Sequence, residues 1–124
     1  MIPTRGAVFA FPAPVDLRNG FNGLYALVAR HLGRDPLDGA LYLFTNRSRT
    51  SAKVLHFDGT GLCIYHKRLA RGRFASLWQR ADGRAVSLTR AELALFLEGC
   101  RLLDHQPLSP PEITRIPVAA ISPS

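Results

Sequence analysis

The sequence predicts a small α+β protein: a small antiparallel β-sheet, built as a central three-stranded meander plus hairpins, with two helices packed on one face. Three observations carry that expectation. Residues 40–44, 52–57 and 62–66 are apolar runs of strand length separated by turn-forming residues. Phe21, Leu24, Tyr25, Val28 and Leu32 recur at the spacing of one helical face. Thr89-Arg90-Ala91-Glu92 has the form of a capping box, with Leu88 and Leu93 placed as a hydrophobic staple.

Taken in order, residues 7–11 read as a first strand, and Val15 to Arg18 as resumed extended chain. Pro12 and Pro14 mark the strand as an edge strand or a turn, because proline donates no ladder hydrogen bond. The first helix is expected over residues 20–32, with Asn19 as N-cap and Gly33 as stop. Arg30, His31 and Arg34 gather at its C-terminal end, where cations complement the macrodipole. In the meander, residues 46–51 join the first strand to the second. Asp58-Gly59-Thr60-Gly61 turns the second into the third. Asp82-Gly83 suits a further hairpin, flanked by Leu77-Trp78 and Ala85-Val86-Ser87-Leu88. The second helix buries Leu93, Phe96, Leu97 and Cys100.

With 124 residues and 47% apolar content, the chain suits one domain with a buried core. The expected division is a single domain over residues 1–103 and a disordered tail over 104–124, because five of the nine prolines fall in that tail. Cys63 and Cys100 are too few for a disulfide scaffold and read as reduced thiols packed in a core. No apolar run is long enough to span a bilayer, and residues 1–6 carry no signal pattern. A soluble, cytoplasmic protein is expected.

The formal net charge is +7 and the pI about 10.4, a balance that attracts polyanions. The excess is concentrated. Ten cations lie between Gly39 and Ala91, opposed only by Asp58 and Asp82. Arg47, Arg49 and Lys53 belong to a loop rich in hydroxyl and amide donors, and Lys67, Arg68, Arg71 and Arg73 leave the third meander strand. Strand direction in an antiparallel meander puts both groups at the same end of the sheet, so they are expected to merge into one phosphate-binding patch.

Other constellations point to packing rather than chemistry. His56, Asp58 and His66 lack metal-ligand spacing, and the basic half of the chain lacks the carboxylates that two-metal strand chemistry needs. Cys63 and His66 are three apart on a strand and face opposite ways. Tyr42, Phe44, Phe57, Tyr65 and Trp78 read as core aromatics. No cofactor, metal site or catalytic residue is expected.

Three blocks resemble one family. Asp16-Leu17-Arg18-Asn19-Gly20-Phe21-Asn22-Gly23-Leu24 is similar to a D-M-R-K-G-F-D-G-L signature, with Asn19 where Lys is usual and Asn22 where Asp is usual. Residues 53–62, containing Asp58, Gly59 and Gly61, resemble a K-x-L-x-W-D-G-x-G block, with Phe57 in the Trp position. Residues 67–74 resemble K-R-L-E-x-G-R-F. The blocks belong to the accessory protein encoded by the second reading frame of IS66-type bacterial transposable elements, often called TnpB and distinct from the RNA-guided nuclease of the same name. The resemblance implies a non-enzymatic role in transposition beside a separate transposase. Together with the charge pattern it gives the expected function: binding the backbone of duplex DNA through the basic patch. The alternative is a module that docks on the transposase without touching DNA, using the first helix or the Pro-rich tail.

Overall fold

The computed structural model describes residues 7–78 and 84–99. β1 (Val8–Ala10) leads through α1 (Phe21–Ala26), which continues as a π-helical turn over Leu27–His31, to β2 (Leu41–Thr45). β3 (Ser51–Phe57), β4 (Leu62–Arg68), β5 (Val86–Leu88) and α2 (Arg90–Glu98) follow. The five strands form one sheet in the order β4-β3-β2-β1-β5. No helix among the described residues is long and apolar enough to cross a membrane.

The α+β class and the β2-β3-β4 meander are as the sequence predicts, with Tyr42 opposite Leu55 and Leu55 opposite Ile64. The sheet is mixed, however, because β1 pairs parallel to β2. A parallel pair needs a long crossover, and α1 supplies it. The crossover explains a second difference: the helices lie on opposite faces of the sheet. Alternate residues of the central strands feed two cores. Val8, Ala10, Leu41, Leu43, Ala52 and Val54 pack with Leu93, Phe96 and Leu97 of α2. Tyr42, Phe44 and Leu55 pack with Leu24 and Val28 of α1.

β1 is an interior strand, bonded to β2 on one side and antiparallel to β5 on the other. Pro12 and Pro14 fall beyond its end. The amides of Phe11 and Val15 carry the pairing onward, donating to the carbonyls of Leu43 (2.8 Å) and Thr45 (3.0 Å), so the prolines occupy positions where no amide is needed. Extended chain stops at Val15, and Leu17-Arg18 form a turn closed by Asn19 N to Asp16 O at 3.1 Å. Gly20, not Asn19, is the N-cap of α1, since the Asn19 amide donates to the Asp16 carbonyl instead. Phe21, at 48% exposure, lies outside the buried stripe. Gly33 ends the helix with φ +63°, as expected. Arg34 folds back over the Phe9 ring at 4.1 Å and donates to the Tyr42 hydroxyl, while Tyr42 donates to Asp38. Burial pushes the Tyr42 hydroxyl up to about 12, so it stays a donor.

β5 pairs with β1, and Leu77-Trp78 are not a strand, so the two flanks of the expected hairpin do not pair with each other. Its turn, Asp82-Gly83, lies outside the described residues, as do Cys100 and the tail over 104–124. The capping box forms as read: Glu92 N donates to Thr89 Oγ1 (3.0 Å) and Thr89 N to Glu92 Oε1 (2.8 Å). Gly99 closes α2 in the left-handed region at φ +73°, where a Cβ would strike Leu69. Cys63 is exposed rather than packed in the core. β4 is an edge strand, and α2 covers β1, β2 and β3 but leaves that side of β4 open at Cys63 and Tyr65.

After β4 the chain returns to the α2 core through Phe74, which is fully buried and stacked on Phe96 at 4.9 Å between ring centroids. Phe74→Ala is expected to destabilise the protein by about 3–5 kcal/mol, read by urea unfolding, because it removes this stack and leaves a cavity beneath the return turn.

Candidate nucleic-acid interface

The site is built at the end of the sheet where β2 ends, β3 begins and β4 ends. Register brings the two basic segments together there: Ser51 lies opposite Arg68 and Ala52 opposite Lys67. Backbone bonds complete the junction, from Leu69 N to Thr50 O (2.9 Å) and from Phe74 N to Arg49 O (2.7 Å).

The loop between β2 and β3 is wound around one side chain. Asn46 Oδ1 accepts from the amides of Thr50 (2.9 Å) and Ser51 (3.1 Å), and its Nδ2 donates to Thr50 Oγ1 (3.2 Å). Asparagine is suited to this task because its side chain mimics a backbone turn. The same loop holds the one non-glycine residue of positive φ among the described residues, Arg49 at 61°. Arg49 Nη1 donates to the Phe74 carbonyl at 3.2 Å. Together with the Phe74 amide bond this forms a two-way clasp between the basic loop and the return from β4.

The seven cations expected to act alike therefore divide. Arg49 clasps Phe74. Lys53 Nζ donates to the Asn19 carbonyl at 3.0 Å and ties β3 to the turn before α1. Lys67, opposite Ala52, is half-buried on the α2 side of the sheet. Arg68, opposite Ser51, faces the α1 side and is exposed. Arg47 is exposed on the loop, and Arg71 and Arg73 are exposed on the return turn. These last four have no acidic partner among the described residues.

Sequence reading missed that the Asp16–Leu24 block borders this end. Residues 14–18 run beside the 46–51 loop because Val15 N is bonded to Thr45 O. Between them lies an open groove of about 770 Å³ lined by Pro14, Val15, Asp16, Leu17, Arg18, Asn46, Arg47, Ser48, Ser51 and His66. Asp16 accepts the Arg18 amide (3.0 Å) and holds the guanidinium through Nε and Nη2, the latter at 2.6 Å. That hydrogen-bonded pair lowers the Asp16 carboxyl to about 2 and keeps it charged. Gly20 begins α1, and Gly23 lets the helix approach the turn, since a Cβ there would run into the Asn19 side chain.

Asp58, Gly59 and Gly61 lie at the other end of β3, away from this groove, and their role is the β3-β4 turn. Asp58 Oδ1 accepts from Thr60 N, Gly61 N and Thr60 Oγ1, which hold its carboxyl down at about 2. Cys63 Sγ donates to Asp58 Oδ2 at 3.5 Å. Partial desolvation and this carboxylate push the thiol up. His56 shares the face of Val54, whereas His66, opposite Lys53, takes the other face, so the two histidines do not converge.

Fold and site together define a small basic α+β protein in which exposed arginines without acidic partners among the described residues gather at one end of a mixed sheet. A family model described as "IS66 Orf2 like protein" matches residues 6–107, and the chain belongs to that family, whose members are accessory proteins of insertion-sequence transposition with no known catalytic role. The chain is 43% identical over 84 residues to the uncharacterized protein y4hO of Sinorhizobium fredii, covering 68% of this chain and 71% of the relative. It is 31% identical over 98 residues to the uncharacterized protein y4jC of the same organism, covering 78% and 82%. No solved structure matches the chain.

Asn46→Ala removes three hydrogen bonds from the loop and is expected to lower stability by about 1–2 kcal/mol. The same variant should speed hydrogen exchange at the Thr50 and Ser51 amides, while exchange within α2 changes only with global stability.

Proposed function

We propose that this protein serves transposition as a non-enzymatic DNA-binding accessory, holding the phosphate backbone of duplex DNA at the β2-β3 loop end of its sheet, beside a separate transposase. One observation carries the reading. Arg47, Arg68, Arg71 and Arg73 are exposed without acidic partners among the described residues, on a loop and turn fixed to each other by the Arg49–Phe74 clasp. Unpaired guanidinium groups on a rigid support suit phosphate oxygens, because the fork donates two parallel hydrogen bonds and little ordering is required on binding. Ser48 and Ser51 add hydroxyl donors beside them. Arg49 and Lys53 support this surface through bonds to the Phe74 and Asn19 carbonyls, and Lys67 lies half-buried on the opposite face of the sheet from Arg68. Such contacts carry no base information, so affinity without strong sequence preference follows.

The test is a salt titration of binding to a short duplex. Each phosphate contact contributes about 0.9 to the slope of log affinity against log salt. Arg68→Ala combined with Arg71→Ala should weaken binding to all sequences alike and flatten the slope by up to about 2, with the melting temperature unchanged. Binding that is independent of salt, or wild-type binding by the double variant, contradicts the proposal. Loss of transposase capture by that variant, with DNA binding intact, would instead assign the patch to a protein interface.

A further inference from the structure

We infer that the groove between residues 14–18 and the 46–51 loop receives an unpaired nucleotide projecting from the bound DNA, with its phosphate on one wall and its base on the other. The inference rests on the DNA-binding reading above and adds a preference for DNA that carries a single-stranded extension.

The two walls differ in chemistry. One carries Arg47, Ser48 and Ser51, and Arg68 lies opposite Ser51 in the β3-β4 register. It offers charge and hydroxyl donors, as a phosphate requires. The other carries Pro14, Leu17 and the Asp16–Arg18 pair. Arg18 is the most exposed charged side chain of that wall, at 91%, yet its guanidinium is pinned edge-on by the Asp16 carboxylate through Nε and Nη2. The pair has no net charge. At that exposure the planar guanidinium face is open to solvent, and such a face stacks on a base as an aromatic ring does. His66, exposed on β4 opposite Lys53, also lines the groove and adds a second planar group.

The occupant follows from this division. A wall neutralised by its own carboxylate repels a phosphate less than a bare acid would, but it gives a backbone no reason to settle there. It suits the uncharged face of a base. In a duplex that face is covered by the neighbouring base pairs, so only a flipped, terminal or single-stranded nucleotide can offer it. The groove volume of about 770 Å³ falls within the roughly 300–1,000 Å³ of sites that take ligands of small-molecule size. Arg47 lines the basic wall, Arg68 lies opposite Ser51, and Arg71 and Arg73 follow on the return turn, so duplex held on them directs a projecting nucleotide to the groove beside it.

The experiment compares three fluorescent probes of equal phosphate number by polarisation at one salt concentration: a blunt duplex, a duplex with a short single-stranded extension, and the same extended duplex with abasic extension residues. The extended duplex should bind about fivefold or more tightly than the blunt one, and the abasic probe should bind like the blunt duplex. Arg18→Ala and His66→Ala should each shrink that preference. The Arg18 change leaves the backbone turn intact, because Asp16 O still accepts from Asn19. Arg71→Ala, on the return turn and outside the groove lining, should weaken all three probes and leave their ratio unchanged. Equal salt-dependent binding to all three probes overturns the inference and leaves the proposed function standing. A preference that survives without bases, or in both groove variants, also overturns it. Absence of salt-dependent binding to every probe removes both.

Discussion

Everything in this structure depends on β2 being buried on both faces. All five residues from Leu41 to Thr45 are buried, with parallel β1 on one side and antiparallel β3 on the other. A strand in that position is mostly apolar, here with Thr45 at its end, and it hands alternate side chains to two separate cores. Leu41 and Leu43 anchor α2, and Tyr42 and Phe44 anchor α1. Once β2 is fixed, the parallel β1 requires a crossover, the crossover places α1 on one face, and the capping box starts α2 on the other. The loop that leaves β2 at Asn46 then inherits a rigid base.

The β2-β3 loop end of the sheet shows how a basic surface is built without its own cations disrupting it. Like charges crowded together would repel, and two are drawn into structural bonds with neutral acceptors. Arg49 bonds to a carbonyl of the return turn, and Lys53 to a carbonyl of the turn before α1. The remaining arginines project from a surface held by backbone bonds and by the Asn46 side chain. Rigid support matters here because each flexible side chain ordered on binding lowers the affinity its charge supplies.

Most local signals were legible in the sequence, the Asn19 N-cap excepted, and fewer long-range ones were. The Thr89–Glu92 box, the Gly33 stop and the Asp58–Gly61 turn depend on neighbours a few residues apart, and each formed as read. The convergence of the basic segments was legible too, because strand direction alone dictates it. The face occupied by each helix was not, since it depends on whether Val8–Ala10 pairs parallel to β2, and prolines beyond that strand suggested an edge. The unequal fate of the seven cations depends on tertiary partners thirty-four residues away in the case of Lys53 and twenty-five in the case of Arg49. Nothing in the sequence placed Arg18 and His66 on one groove, because the groove exists only where the Asp16 turn meets the loop after β2. The family blocks marked Asp16, Arg18, Gly20, Phe21 and Gly23 without indicating that they border the basic end.

The central claim is that DNA is held at one end of the sheet, on the surface organised by Asn46 and the Arg49–Phe74 clasp. The most direct measurement is the change in backbone amide chemical shifts of the folded protein as a short duplex is added at low salt. The account predicts shifts concentrated in residues 14–18, 46–51 and 66–73, fading as salt rises. Shifts concentrated on α2 or at the β5 edge, or no shifts at saturating duplex, would contradict it.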